Sequence, residues 1–103
     1  MILIQKGRNS AYPEKIETWR YGEKTPEWLS DICKVRAMEG SGNLILDIRK
    51  TTSGGYELLN STGDGSSIVT ATRMDDYICH GVNGGKVFSL TESQINLLYK
   101  EEK

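Results

Sequence analysis

His80 is the single imidazole in the chain, so any acyl transfer built on a serine or cysteine would have to recruit it as the general base. Cys79 beside it is badly placed as its nucleophile, because successive side chains along a strand point to opposite faces. Cys33, the other thiol, could meet His80 only through tertiary packing. The plain reading of His80 is a surface or turn-flanking residue, with a binding role next and catalysis last. Asp75-Asp76 has the residue types for acid–base work or a cation. Adjacent carboxylates with no third acidic group close in sequence satisfy neither geometry, and a pair ahead of Tyr77 is simpler as turn chemistry. With Cys79 and His80 adjacent and Cys33 the other typical ligand, no zinc site is expected.

The glycine-rich segments Gly40-Ser41-Gly42 and Gly63-Asp64-Gly65 lack the strand–loop–helix context and the Gly-Lys-Ser or Gly-Lys-Thr of a phosphate loop. They suit hairpin turns that need a positive φ. Arg20 between Trp19 and Tyr21 suggests a stacking platform, but no basic stripe accompanies it. Thirteen Lys and Arg against fourteen Asp and Glu leave a net charge of −1. That balance argues against both a basic nucleic-acid module and a strongly acidic phosphate mimic. A small anion gathered by arginines that the fold brings together stays open. No apolar run reaches the roughly 18 residues of a membrane span, and no basic-then-apolar leader opens the chain. Two cysteines in apolar stretches fit free buried thiols inside a cell rather than a secreted disulfide framework, although a Cys33–Cys79 pair stays open.

The elements that must carry these residues are short. Met1 to Gln5 reads as an edge strand or part of an N-terminal arm over residues 1–13, and Lys15 to Tyr21 as a strand ending at Gly22. Thr25 as cap, Pro26 in the first turn and Glu27 at the positive end of the dipole predict a helix over 26–34. Its apolar stripe is Trp28, Leu29, Ile32 and Cys33. Period-two alternation predicts a strand over 44–50. Tyr56 to Asn60, Ile68 to Thr72, Tyr77 to His80 and Lys86 to Leu90 follow, joined by turns and paired as antiparallel hairpins. Thr91-Glu92-Ser93-Gln94 is a capping box that opens a second helix with Ile95, Leu98 and Tyr99 inward, and Lys100 to Lys103 fraying. The expectation is a single α+β domain over residues 1–103. It has a curved antiparallel sheet of about five to seven strands, one early helix and one C-terminal helix.

Asp76-Tyr77-Ile78, Gly81-Val82, Gly85, Phe88 and Tyr99 fall in an order that resembles a small domain common in phage genomes, the PGDYG-like phage proteins. There, Gly-Asp-Tyr or Gly-Asp-Trp leads into Gly-Val-x-Gly, an aromatic-containing strand and a closing helix ending in Tyr. Ile16 to Gly22 and the helix at Thr25 resemble that family's opening strand and helix. Asp75 replaces the usual glycine, Cys79-His80 is unusual, and the loop at Asn83-Gly84-Gly85 is one residue longer. The N-terminal arm and the stretch from Gly40 to Gly63 are additions. The family carries no established catalytic residues, so the resemblance transfers none. It implies a phage protein working in the cytoplasm of a bacterial host, where small non-enzymatic proteins commonly block a host component.

The leading expectation is therefore a non-enzymatic phage accessory protein, without cofactor or metal, that binds and inhibits a bacterial host protein, a defence-system component among the candidates. The alternative is a protein that binds or sequesters a small anionic ligand such as a nucleotide signal, with homo-oligomers accommodated. A hydrolase using His80 ranks third. Trp19, Arg20, Tyr21, Asp76, Tyr77 and His80 are the candidate binding residues; membrane and nucleic acid are not expected partners.

Overall fold

The computed structural model describes residues 1–33, 35–38, 44–61 and 66–102, with the backbone alone at 35–38 and 44–45. In chain order the elements are β1 (Ile2–Gln5), β2 (Lys15–Arg20), α1 (Glu27–Ser30), β3 (Val35–Met38), β4 (Leu44–Leu46) and β5 (Ile48–Lys50). They continue as β6 (Tyr56–Leu59), β7 (Ser67–Ala71), β8 (Tyr77–Gly81), β9 (Phe88–Leu90), α2 (Glu92–Leu98) and β10 (Tyr99–Glu101). All pairings are antiparallel, so the α+β architecture with an antiparallel sheet is borne out. The described strands are more numerous than expected. Residues 44–50 break in two at Asp47, a poor strand former, and β3 and β10 arise where no strand was expected. The turns expected at Gly40-Ser41-Gly42 and Gly63-Asp64-Gly65 lie outside the described residues. Over residues 1–103, read above as one domain, the chain divides into two compact units: Met1–Tyr21 with Asp75–Lys103, and Gly22–Met74.

The first unit is a five-stranded sheet in the order β10-β1-β2-β8-β9. Alternation decides its core. Leu3 lies opposite Ile16, Thr18 opposite Cys79, and Tyr77 opposite Leu90, so these side chains share one face. Leu3, Ile16, Cys79, Leu90 and Tyr99 form a buried cluster there with Ile95 of α2. α2 starts as its sequence dictates: Gln94 N donates to Thr91 Oγ1 at 3.1 Å and Thr91 N donates to Gln94 Oε1 at 2.8 Å, the reciprocal capping box.

Two expectations need correction in this unit. β1 is neither arm nor edge; it runs between β10 and β2, because Tyr99–Glu101 returns after α2 to take up the backbone groups that β2 leaves unpaired. The C-terminal residues do not fray through Lys100 and Glu101. The helix stops at Leu98, and Tyr99–Glu101 pairs with β1, with Ile4 opposite Lys100 and Gln5 opposite Tyr99. Docking Tyr99 in the core carries the next residues into the sheet.

In the second unit β5, β6 and β7 form one sheet and β3 and β4 a separate hairpin. Tyr56 and Leu58 alternate with the half-buried Glu57 and Leu59, and face Ala71 and Val69 across the ladder. On the other face Arg49 Nε lies 2.9 Å from Glu57 Oε2. The helix expected over 26–34 is a single turn. Pro26, not Thr25, holds the N-cap position without a side-chain bond, and Asp31 closes the other end. Cys33 forms a bridge with Asn60, and Ser61 N donates to Ile32 O at 3.2 Å. Ile32 N and Cys33 N still bond Leu29 O, at 3.3 and 2.9 Å, but the Ile32 carbonyl turns to Ser61 N instead of continuing the helix. Lys34 lies outside the described residues.

Candidate functional site

All six candidate binding residues lie in the first unit, and the sheet's own pleat separates them. Arg20 stands opposite Tyr77 and Trp19 opposite Ile78, so Arg20 and Tyr77 share the α2-covered face while Trp19, Tyr21 and His80 belong to the other. The stacking platform suggested by Trp19-Arg20-Tyr21 therefore does not form with Arg20 in it. Trp19 and Tyr21 do meet, edge to face, with ring centroids 6.5 Å apart; Trp19 is buried and Tyr21 exposed.

Arg20 is engaged on its own side. Its guanidinium carbon lies 4.5 Å from the Tyr77 ring centroid, a cation–π distance. Its Nε donates to Asp75 O at 3.2 Å, and its Nη2 lies 3.4 Å from Glu92 Oε2. One side chain thus ties β2 to the turn before β8 and to the first residue of α2. Asp76 is 3 % exposed and belongs to that turn. His80 is half-buried and stands opposite Glu17.

The motif residues that suggested a phage domain occupy turn and core positions. Gly81 packs so closely that a Cβ there would lie 2.6 Å from Gly84 O and 3.2 Å from Pro13 Cβ. Gly85 adopts φ 110, open to glycine at no steric cost. Tyr99, 2 % exposed, sends its hydroxyl to Pro13 O at 2.6 Å. Cys33 and Cys79 are free and buried. Desolvation pushes their thiols up to about 11 and about 12, which keeps them protonated at neutral pH and weak as nucleophiles. Among the described residues no group of three or more His, Cys, Asp or Glu side chains could hold a metal ion, and no described helix is long and apolar enough to cross a membrane.

Several of the hollows that the described residues form cluster around Ile4, which no sequence signal singled out. Ile2, Ile4, Lys15, Glu17, His80 and Val82 share the face opposite α2, since Ile2 pairs with Glu17, Ile4 with Lys15 and Glu17 with His80, while Val82 N donates to Lys15 O at 3.0 Å. Ile2 and Val82 are each 40 % exposed. Three hollows border Ile4. One of about 520 Å³ runs along the loop from Lys6 to Tyr12. Another of about 520 Å³ lies between Pro13–Lys15 and Gly81–Gly84, and a third of about 600 Å³ lies beside Lys100–Glu102. The charges are laid in by register: Glu102 N bonds Ile2 O at 3.5 Å, and the Glu102 carboxylate pairs with Lys15. The pairings of β10 with β1, β1 with β2 and β2 with β8 bring these residues together.

The chain matches no family model, no curated protein and no solved structure.

Proposed function

We propose that the chain is a non-enzymatic binding protein of phage origin that docks on a bacterial host protein and blocks it, a component of a defence system being one such target. The observation that carries the reading is the face around Ile4. Half-exposed aliphatic side chains at Ile2, Ile4 and Val82 stand amid Lys15, Glu17, His80 and Glu102 on a sheet face opposite the only described helix of that unit. An apolar centre with a charged rim is the make-up of a protein interface core and its border, and the flanking hollows would accept protruding partner side chains. The weakly nucleophilic thiols favour binding over covalent chemistry. The phage origin and the bacterial cytoplasm rest on the resemblance of residues 74–99 to the phage domain, and the choice of a host target follows from that origin.

The test compares the wild-type chain with an Ile2→Lys/Val82→Asp variant as bait in bacterial lysate, followed by reconstitution with the purified partner. Both substitutions fall on exposed positions, so circular dichroism should show an unchanged fold. The expected result is a stoichiometric partner whose complex forms with the wild type in light scattering and fails with the variant. Recovery of no stoichiometric partner, or equal binding by the variant, would sink the reading.

A further inference from the structure

The loop joining β1 to β2 is more ordered than a connection of its length requires. Gln5 Nε2 donates to Asn9 O at 2.9 Å and to Tyr12 O at 3.2 Å, while Gln5 Oε1 accepts from Asn9 N at 3.3 Å. Asn9 Oδ1 in turn accepts from Ala11 N at 2.9 Å. The Tyr99 hydroxyl holds the far end at Pro13 O. These bonds draw on groups inside the loop and leave its outward groups to the hollow of about 520 Å³. Lining that hollow are the cations Lys6 and Arg8, the Ser10 hydroxyl, the Tyr12 ring and the Glu14 carboxylate. Arg8 is exposed and makes no hydrogen bond or ion pair among the described residues. Lys6 Nζ donates to Asn96 O, which leaves two of its three ammonium protons for another acceptor.

We propose that this hollow binds a small phosphate monoester, represented by a nucleoside monophosphate. Arg8 offers the planar fork that matches phosphate oxygens and Lys6 a second positive charge, so together they balance one phosphate dianion. Ser10 donates to the same group. Glu14 sits at the foot of the loop, where Gln5 N bonds Glu14 O at 2.8 Å. Its carboxylate accepts from ligand hydroxyl or amino groups and repels a further phosphate, which favours a monophosphate over a triphosphate. Tyr12 faces the flat body of the ligand; its ring is already steadied by Phe88, with centroids 6.0 Å apart. The volume lies within the roughly 300–1,000 Å³ of small-molecule sites. The loop is pinned in advance, so binding costs little further ordering. This inference does not depend on the docking of a host protein.

The test is calorimetry and amide chemical-shift mapping of the whole chain with AMP, ribose 5-phosphate, ATP and adenosine. AMP and ribose 5-phosphate are expected to bind and to move the amides of residues 6–12. ATP should bind at least several-fold more weakly than AMP, and adenosine should give no saturable shift. Arg8→Gln, on an exposed position, is expected to weaken AMP binding about tenfold while leaving the amide spectrum outside the loop unchanged. Glu14→Gln should narrow the gap between AMP and ATP. Absence of saturable shifts with millimolar AMP, or an Arg8→Gln chain that binds AMP as the wild type does, would overturn the proposal.

Discussion

Tyr99→Phe removes one oxygen atom and leaves the ring, which makes it a clean probe of how the N-terminal loop is fastened. The hydroxyl donates to Pro13 O at 2.6 Å from a residue that is 2 % exposed. A typical internal hydrogen bond contributes about 0.5–1.5 kcal/mol net, and a buried acceptor left unmade costs about 1–3 kcal/mol. Pro13 is half-buried, so water can reach part of its carbonyl, and the expected loss is about 1–1.5 kcal/mol. For a domain of this size each kcal/mol lowers Tm by roughly 4–8 °C. Removing the whole ring, as in Tyr99→Ala, should cost about 3–5 kcal/mol because a cavity joins the lost contacts. Urea titration of both variants gives the numbers; a shifted midpoint at constant slope identifies a change in stability. Hydrogen exchange adds the local readout, since Tyr99→Phe should loosen the amides of residues 9–14 more than those of β8. If the Tyr99→Phe chain matched the wild type within about 0.3 kcal/mol and kept the same exchange pattern, the account of the loop as a tethered structure would fail.

Other substitutions probe the remaining contacts. At Gly55 a Cβ would stand 1.9 Å from Ala71 O and 2.7 Å from Thr72 C, both backbone atoms, so Gly55→Ala should cost about 3 kcal/mol in denaturant titration. Gly7→Ala, with open space around the site, should stay within about 0.5 kcal/mol. Thr91→Ala breaks the capping box and should lose about 1 kcal/mol, seen as lower Tm and weaker helical dichroism. For Arg20→Ala a loss of about 1 kcal/mol is expected, chiefly from the Tyr77 face and the Asp75 carbonyl. A double-mutant cycle with Glu92→Gln should return a coupling under about 0.5 kcal/mol, because that ion pair is solvent-exposed. The thiols set an alkaline limit. Their folded pKa values are raised, to about 12 for Cys79 and about 11 for Cys33, so the unfolded chain loses those protons first and stability falls as pH climbs from about 9 toward 12. At one unit above the ordinary thiol value each should remove about 1.4 kcal/mol. Urea midpoints at pH 8 and pH 10 should show this fall, and the fall should be smaller in Cys79→Ala. A flat profile would contradict it.

The local chemistry of the chain was legible where neighbours in sequence are also neighbours in space. Thr91 and Gln94 are three residues apart, so the capping box could be read directly, whereas the platform expected of Trp19-Arg20-Tyr21 fails because the pleat sends Arg20 to the other face from its aromatic neighbours. The helix at Trp28 shows the limit. Its apolar spacing fits a helix, but the bridge from Cys33 to Asn60 is a long-range bond that no local pattern announces.

By itself the sequence determined the antiparallel α+β character and the second helix with its start, because these depend on bonds and spacings a few residues long. Tertiary structure alone decided that the last strand pairs with the first, that Ile2, Ile4 and Val82 share an exposed face, and that Gln5 and Tyr99 pin the loop bearing Arg8. Each of those depends on contacts between segments far apart in the chain, such as Tyr99 with Pro13. The free energy that selects them comes from burying Leu3, Ile16 and Tyr99 together, a sum over the folded core that no single segment contains.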